Sequence, residues 1–253
     1  MTLHVERHGN GPDLALLHGW GLHSGVWAEA LPELAARFRV HAIDLPGHGH
    51  SAGHAVGTLD QAADEIAAAV PVGALVCGWS LGGLLAQRIA QRHPGRIRGL
   101  VLVSSTPCFM ARPDWPHAMQ AATLDTFAAG LHGDREATLA RFVRLNALNG
   151  ARGREAMRVL TQRLFERGAP SEASLAATLR WLRDTDLRSA AHRLPRRTLV
   201  VHGMRDTLAP IAAARWLAAT IPGAAALELP DAAHIPFFTH REAFVKALES
   251  FLG

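Results

Sequence analysis

Ser80 stands at the centre of Gly78-Trp79-Ser80-Leu81-Gly82, between a short apolar run, Ala74 to Cys77, and a helical pattern from Leu84 to Ala90. In the order strand, G-x-S-x-G, helix, glycines let the backbone turn so sharply that the serine hydroxyl is left exposed at the tip. Such a serine attacks a carbonyl carbon when a base takes its proton and a third group fixes the tautomer of that base. His234, in Pro230-Asp231-Ala232-Ala233-His234-Ile235-Pro236, is the strongest base candidate, although it is one of 15 histidines. Asp206, just past the apolar run that ends in His202-Gly203, is the orienting acid. Asp231 is an alternative acid only three residues from His234. It is disfavoured because a carboxylate so close in a short loop tends to cap backbone amides instead.

Acyl transfer also needs two backbone N–H groups aimed at the developing oxyanion. Leu81, directly after the nucleophile, supplies one, and Trp20 in His18-Gly19-Trp20-Gly21 is the candidate for the other. His48, His50 and His54 have a spacing that a metal could use, but no Asp, Glu or Cys accompanies them and Pro46-Gly47 marks a turn. No metal and no cofactor is expected. Trp20, Trp79, Phe109, Phe142 and Phe165 are candidates to line an acyl pocket, some of them simply as core.

These groups must be carried by elements that meet at one rim. Strand patterns occur over 2–7, 13–18, 39–43, 74–77, 99–104, 197–203 and 225–229, and the turn chemistry of Gly9-Asn10-Gly11-Pro12 suggests that the first two form a hairpin. Helical patterns over 24–37, 59–70, 84–93, 211–219 and 241–252 alternate with them, which specifies a mostly parallel sheet with helices on both faces. Between 107 and 191 no strand pattern occurs. Helices are expected there over 115–129, 135–148, 153–166 and 171–185. The chain therefore reads as an α/β core, 1–106 and 192–253, with a helical cap inserted over 107–191. Asp206 and His234 then follow carboxyl ends of strands, where ligands bind in open α/β sheets.

With 253 residues, 49% apolar and 19% charged, the chain can bury a sizeable core. No apolar run approaches the ~18 residues that span a bilayer, and the N-terminus lacks a signal-peptide layout. A cytoplasmic protein with no membrane partner is expected, and we take it as a monomer. Its two cysteines, Cys77 and Cys108, suggest neither a disulfide framework nor a zinc site. The net charge is +4 and Lys246 is the only lysine. From Arg135 to Arg167 eight arginines face three acids, a local excess that hints at an anionic partner. Nothing in the chain carries a nucleic-acid signature, so no nucleic-acid partner is expected.

Taken together, H-G-W-G at 18–21, D-L-P-G-H-G-x-S at 44–51, G-W-S-L-G-G at 78–83, Asp206 after H-G, and His234 resemble the α/β-hydrolase superfamily over essentially the full length. The order Ser80, Asp206, His234 is that of the superfamily. More narrowly, Trp20, the G-W-S-L-G-G elbow, the short cap and Arg141-Phe142 followed by Arg154 and Arg158 resemble the pimeloyl-[acyl-carrier protein] methyl ester esterases of biotin synthesis. That resemblance implies hydrolysis of a methyl ester on an acyl chain presented by acyl carrier protein, releasing methanol. It implies substrate contacts at Trp20, Ser80, Leu81, Phe142, Asn146 and His234, and carrier or phosphate contacts at Arg141, Arg154 and Arg158. The family pattern has a further arginine where this chain has Ala137, and Arg135 is the nearest substitute. Arg154 and Arg158, four apart on one helix face, can grip one anion together.

The same triad also serves general short-chain esterases, carbon–carbon hydrolases and the elimination chemistry of menaquinone-pathway relatives. A ligand-sensing protein on the hydrolase fold is the non-enzymatic alternative. A haloalkane dehalogenase is excluded, since that chemistry needs an aspartate where Ser80 stands.

Overall fold

The computed structural model describes residues 2–147 and 152–252. Seven strands form one sheet: β1 (Val5–His8), β2 (Asp13–Leu17), β3 (Arg39–Ile43), β4 (Leu75–Trp79), β5 (Gly99–Val103), β6 (Thr198–Gly203) and β7 (Ala225–Leu229), in the order β1-β3-β2-β4-β5-β6-β7. All neighbours are parallel except β1 and β3. β4 and β5 are buried at every position, so both faces of the sheet are covered, as continuous apolar runs in parallel strands require.

The helices are α1 (Leu31–Ala35), α2 (Leu59–Ala69), α3 (Leu81–Arg92), α4 (Ala121–Gly133), α5 (Arg135–Ala147), α6 (Gly153–Arg163), α7 (Glu172–Asp184), α8 (Ile211–Thr220), α9 (Pro236–Thr239) and α10 (Arg241–Leu252). The four helices α4 to α7 lie between β5 and β6 in the chain. The sequence pattern places the end of α5 at Leu148, which lies outside the described residues.

Three local expectations are corrected. The first two strands are no hairpin: β2 uses both of its edges for parallel pairing with β3 and β4, so β1 crosses to the far edge of β3. The helix expected over 24–37 is a 3-10 turn, Ser24–Trp27, followed by the short α1, because Pro32 cannot continue a helix that has already begun. The helix expected from 115 begins only at Ala121. Pro113 and Pro116 hold the preceding residues extended, and bridges pair Met110 with Met119 and Arg112 with Trp115.

The register aligns Trp79 of β4 with Val103 of β5, and Gly203 of β6 with Leu229 of β7. The loops that carry Ser80, Asp206 and His234 therefore leave the sheet from one rim.

Candidate active site

Ser80 joins β4 to α3 with φ 54° and ψ −116°, a conformation that L-residues rarely adopt. Close approach maintains it. A Cβ on Gly78 would run into the carbonyl oxygen of Gly82, and one on Gly82 into that of Leu17. The Ser80 backbone is held on both sides: its N–H donates to Val103 O at 2.9 Å, and its carbonyl accepts from Ser105 Oγ at 2.8 Å. Such a sparsely populated conformation persists only where the surrounding structure over-determines it, as these contacts do, and such positions cluster at active sites.

His234 and Asp206 are both buried, and His234 Nδ1–H donates to Asp206 Oδ2 at 2.7 Å. The other Asp206 oxygen, Oδ1, accepts N–H groups of Leu208 and Ala209, each at 2.9 Å. Burial alone would raise the Asp206 pKa, but His234 and the Ala209 amide hold it below the usual carboxylate range. His234 Nε2 is buried with no partner, leaving one ring nitrogen free to exchange a proton. Asp231, the alternative acid, is exposed and engaged with Arg205 instead.

Trp79 binds the two halves of the site. Its indole N–H donates to the His234 carbonyl at 2.7 Å, and its ring lies 5.8 Å from the His234 ring. Phe237 packs edge-on against Trp79 and also against Trp27, so an aromatic block fixes the loop before α9. The side chain next to Ser80 thus anchors His234. Sequence alone marks Trp79 as an aromatic of the elbow and a candidate to line the acyl pocket, not as the anchor of His234.

Leu81 is the first residue of α3, so its N–H belongs to the amides that a helix leaves without an internal acceptor. Trp20 is fully buried. Its indole donates to Leu175 O in α7 at 3.1 Å, and its ring meets Phe142 at 4.9 Å and Phe127 at 6.2 Å. The loop after β2 is therefore packed directly against α4, α5 and α7. Asn146 is buried on α5, one turn beyond Phe142; its Nδ2 donates to Phe142 O at 2.7 Å and its Oδ1 is unpartnered.

Other candidates separate. Phe109 is buried, while Phe165 is exposed and contributes no core. Arg141, Arg154 and Arg158 are exposed; Arg158 reaches Gln162 at 3.2 Å, and Glu155 forms its ion pair with Arg152 while also feeling the charge of Arg158. Arg141 lines a groove of about 240 Å³ between α4 and α5, together with Phe127. His48 donates from Nδ1 to Pro46 O and His54 donates from Nε2 to Thr2 O, while the His50 ring packs on His4. Among the described residues no cluster of His, Cys, Asp or Glu has the geometry to hold a metal.

The sequence reading missed a buried anchor between the helical insertion and the core. Arg167, in the turn between α6 and α7, donates to Ser24 Oγ at 2.9 Å and lies 3.2 Å from Asp44 Oδ2 and 2.7 Å from Glu6 Oε1. His23 Nε2–H donates to Arg163 O at 2.7 Å, and Arg163 reaches Glu29 at 3.1 Å. The local arginine excess was visible in sequence, but the pairing of Arg167 with Asp44 was not.

Residues 14–241 match the α/β-hydrolase fold family. A pimeloyl-[acyl-carrier protein] methyl ester esterase of Chromobacterium violaceum is 43% identical over 252 residues, covering 100% of this chain and 98% of its own length. Its counterpart from Nitrosomonas europaea is 40% identical over 249 residues, covering 98% of this chain and 99% of its own. In three dimensions, bromoperoxidase from Bacillus anthracis superposes with a TM-score of 0.89 over 99% of this chain and 95% of its own; at 24% identity this likeness speaks for the fold. With this family match and these full-length relatives, the chain belongs to the α/β-hydrolase family and, within it, to the family of the pimeloyl-[acyl-carrier protein] methyl ester esterases.

Proposed function

We propose that this protein is a serine carboxylesterase that hydrolyses the methyl ester of a pimeloyl chain carried on acyl carrier protein. One observation carries the chemistry: a buried imidazole is fixed by a carboxylate at 2.7 Å on Nδ1 and has an unpartnered Nε2, while its carbonyl is tied to the residue preceding a strained serine. The substrate class comes from the full-length relatives, whose names specify it.

In this reading His234 Nε2 takes the Ser80 proton as Oγ attacks the ester carbonyl. The oxyanion is held by the N–H groups of Leu81 and Trp20. Methanol leaves with the proton from His234, and water then repeats the sequence on the acyl-enzyme. Asp206 keeps the imidazole in the tautomer that this requires and stabilises the imidazolium. Trp20, Ser80, Leu81, Phe142, Asn146 and His234 contact the substrate. No metal or other cofactor enters the scheme.

Residues 107–191 act as a cap over the core formed by 1–106 and 192–253, and the exposed Arg141, Arg154 and Arg158 receive the anionic carrier. Arg135 is a poor replacement for the arginine missing at Ala137, because it points about 200° away around the helix and its Nε is buried. Arg144, exposed and seven residues after Ala137, returns to within about 20° of that direction. We take the enzyme as cytoplasmic and monomeric; the two buried cysteines are free thiols, which suits a reducing compartment.

Hydrolysis of p-nitrophenyl butyrate by the wild type and by Ser80→Ala tests the chemistry. Loss of turnover in the variant is expected, and a full rate in folded Ser80→Ala would remove Ser80 from the reaction.

A further inference from the structure

Two imidazoles, not one, face the Asp206 carboxylate. His202, in the penultimate position of β6, is buried, and its Nε2 lies 3.4 Å from Asp206 Oδ2, the oxygen that receives the His234 proton donor. The same Nε2–H donates to Ala209 O at 2.6 Å. Ala209 in turn donates its own N–H to Asp206 Oδ1 at 2.9 Å. The three residues form a closed ring: His202 grips the peptide that grips the carboxylate. Asp206 Oδ1 is filled by two backbone amides, so the carboxylate can turn only if the 206–209 loop opens, and His202 ties that loop to the strand.

The protonation state of His202 follows from its partners. Nε2 faces a carbonyl oxygen, which only an N–H can satisfy, while Nδ1 is buried with no partner. This is a neutral ring with its proton on Nε2, and burial pushes its pKa down in the same sense. A leucine would fill the space without leaving a buried ring nitrogen unpaired, which is itself destabilising. The position is thus matched to a donor on Nε2 rather than to apolar bulk. The charged or titratable groups around the ring are Asp206 and His234 at the rim and Glu228, its ladder partner on β7. Glu228 is engaged by Arg215 of α8 at 2.7 and 2.8 Å.

We propose that His202 is a positioning residue of the ester hydrolysis, a neutral imidazole that holds Asp206 with Oδ2 toward His234 and moderates the basicity of that carboxylate. It acts through Asp206 and touches no substrate. The inference rests on the triad reading above, in which His234 is the base.

The test compares His202→Phe, which keeps a flat ring and removes the donor, with His202→Gln, whose amide N–H can reach the Nε2 position. In His202→Phe, kcat for p-nitrophenyl butyrate falls about ten- to a hundredfold, with KM within about twofold of wild type. The positive end of the Nε2–H dipole, 3.4 Å from Asp206 Oδ2, is then gone, so the carboxylate favours imidazolium more strongly and the acid limb of kcat/KM moves to higher pH. The His234 imidazole titration followed by NMR moves the same way. His202→Gln restores both the rate and the position of the limb.

An unmoved His234 titration in folded His202→Phe overturns the proposal, as does an equal loss in both variants with the acid limb in place, which would mean packing alone. Should His202→Phe not fold, NMR of the wild type decides: a neutral Nε2–H ring is expected from pH 8 to pH 5, and an Nδ1–H or charged His202 overturns the proposal. The NMR arms need no turnover. A fully active Ser80→Ala would therefore sink the triad reading separately, without being confused with a failure of His202.

Discussion

Two sets of arginines in the same helical insertion do opposite things. Arg163 and Arg167, around the turn from α6 to α7, are turned inward: Arg167 is ion-paired with a fully buried Asp44 and with Glu6, and Arg163 reaches Glu29. Arg154 and Arg158, on the outer face of α6, are exposed; Arg158 hydrogen-bonds Gln162 and lies within electrostatic reach of Glu155, which is itself paired with Arg152. Local charge excess is the same sequence signal for both. What separates them is the opposite surface, a carboxylate already taken out of water in one case and solvent in the other. The inward set joins the insertion to the segment after the Trp20 loop, where His23 also holds Arg163 O. The outward set is left available to an anionic partner.

The largest effect expected from this contrast is on stability. Arg167→Met leaves Asp44 as a buried carboxylate with its cation removed, a change that costs about 3–5 kcal/mol when a buried pair is broken. Urea unfolding at pH 7 measures it. The double variant Arg154→Ala/Arg158→Ala is expected to stay within about 0.5 kcal/mol of wild type per substitution, as exposed sites do. Equal losses in the two variants would erase the distinction.

The inner side of the comparison is also sensitive to acid. Burial pushes the His18 pKa well down and the His48 pKa down to about 4, next to Asp44 at the same rim. Unfolded histidine titrates near 6.5. Between these values the unfolded chain binds the extra proton, so stability is full above pH 6.5 and falls as the pH drops toward 4. Each group contributes a slope of about 1.4 kcal/mol per pH unit in that window. Asp44 and Asp206, whose pKa values are lowered, add the opposite type of group but the same direction: their stabilisation is present above about pH 4 and disappears as the pH falls through their folded values. Unfolding free energies at pH 7, 6 and 5 should therefore decline before the carboxylates begin to titrate. His48→Gln should flatten that decline, and an unchanged slope would place the proton uptake elsewhere.

A smaller effect distinguishes the outer arginines kinetically. Salt should lower kcat/KM on a carrier-bound ester and leave hydrolysis of p-nitrophenyl butyrate nearly constant, because exposed charges more than about 8–10 Å apart are screened at physiological ionic strength. Parallel salt curves for the two substrates would mean that the exposed arginines do not steer the substrate.

Local chemistry explains which parts of this molecule the sequence makes legible. The elbow is readable because only small residues fit where Gly78 and Gly82 approach neighbouring carbonyls, and the strand ends are readable because β4 and β5 are apolar throughout. Asp206 and His234 follow from their positions after strands, and the structure brings them within a hydrogen bond. Non-local choices are not legible in this way. The Gly9 to Pro12 turn looks like a hairpin because its residues permit one; whether β2 has a free edge is decided by β3 and β4. Arg167 and Asp44 meet across 123 residues, and nothing in the local pattern of either names the other. His202 reads as the end of an apolar strand, and its grip on Ala209 emerges only once the loop is folded.

The most direct test of the account is side-by-side hydrolysis of pimeloyl methyl ester on acyl carrier protein and of a small free methyl ester, by wild type and by Arg154→Ala/Arg158→Ala. Wild type is expected to release methanol from both, and the double variant to lose about ten- to a hundredfold in kcat/KM on the carrier-bound ester alone, as loss of two anion contacts would give. A wild type that leaves the carrier-bound ester intact, or a double variant that loses equally on both esters, would contradict it.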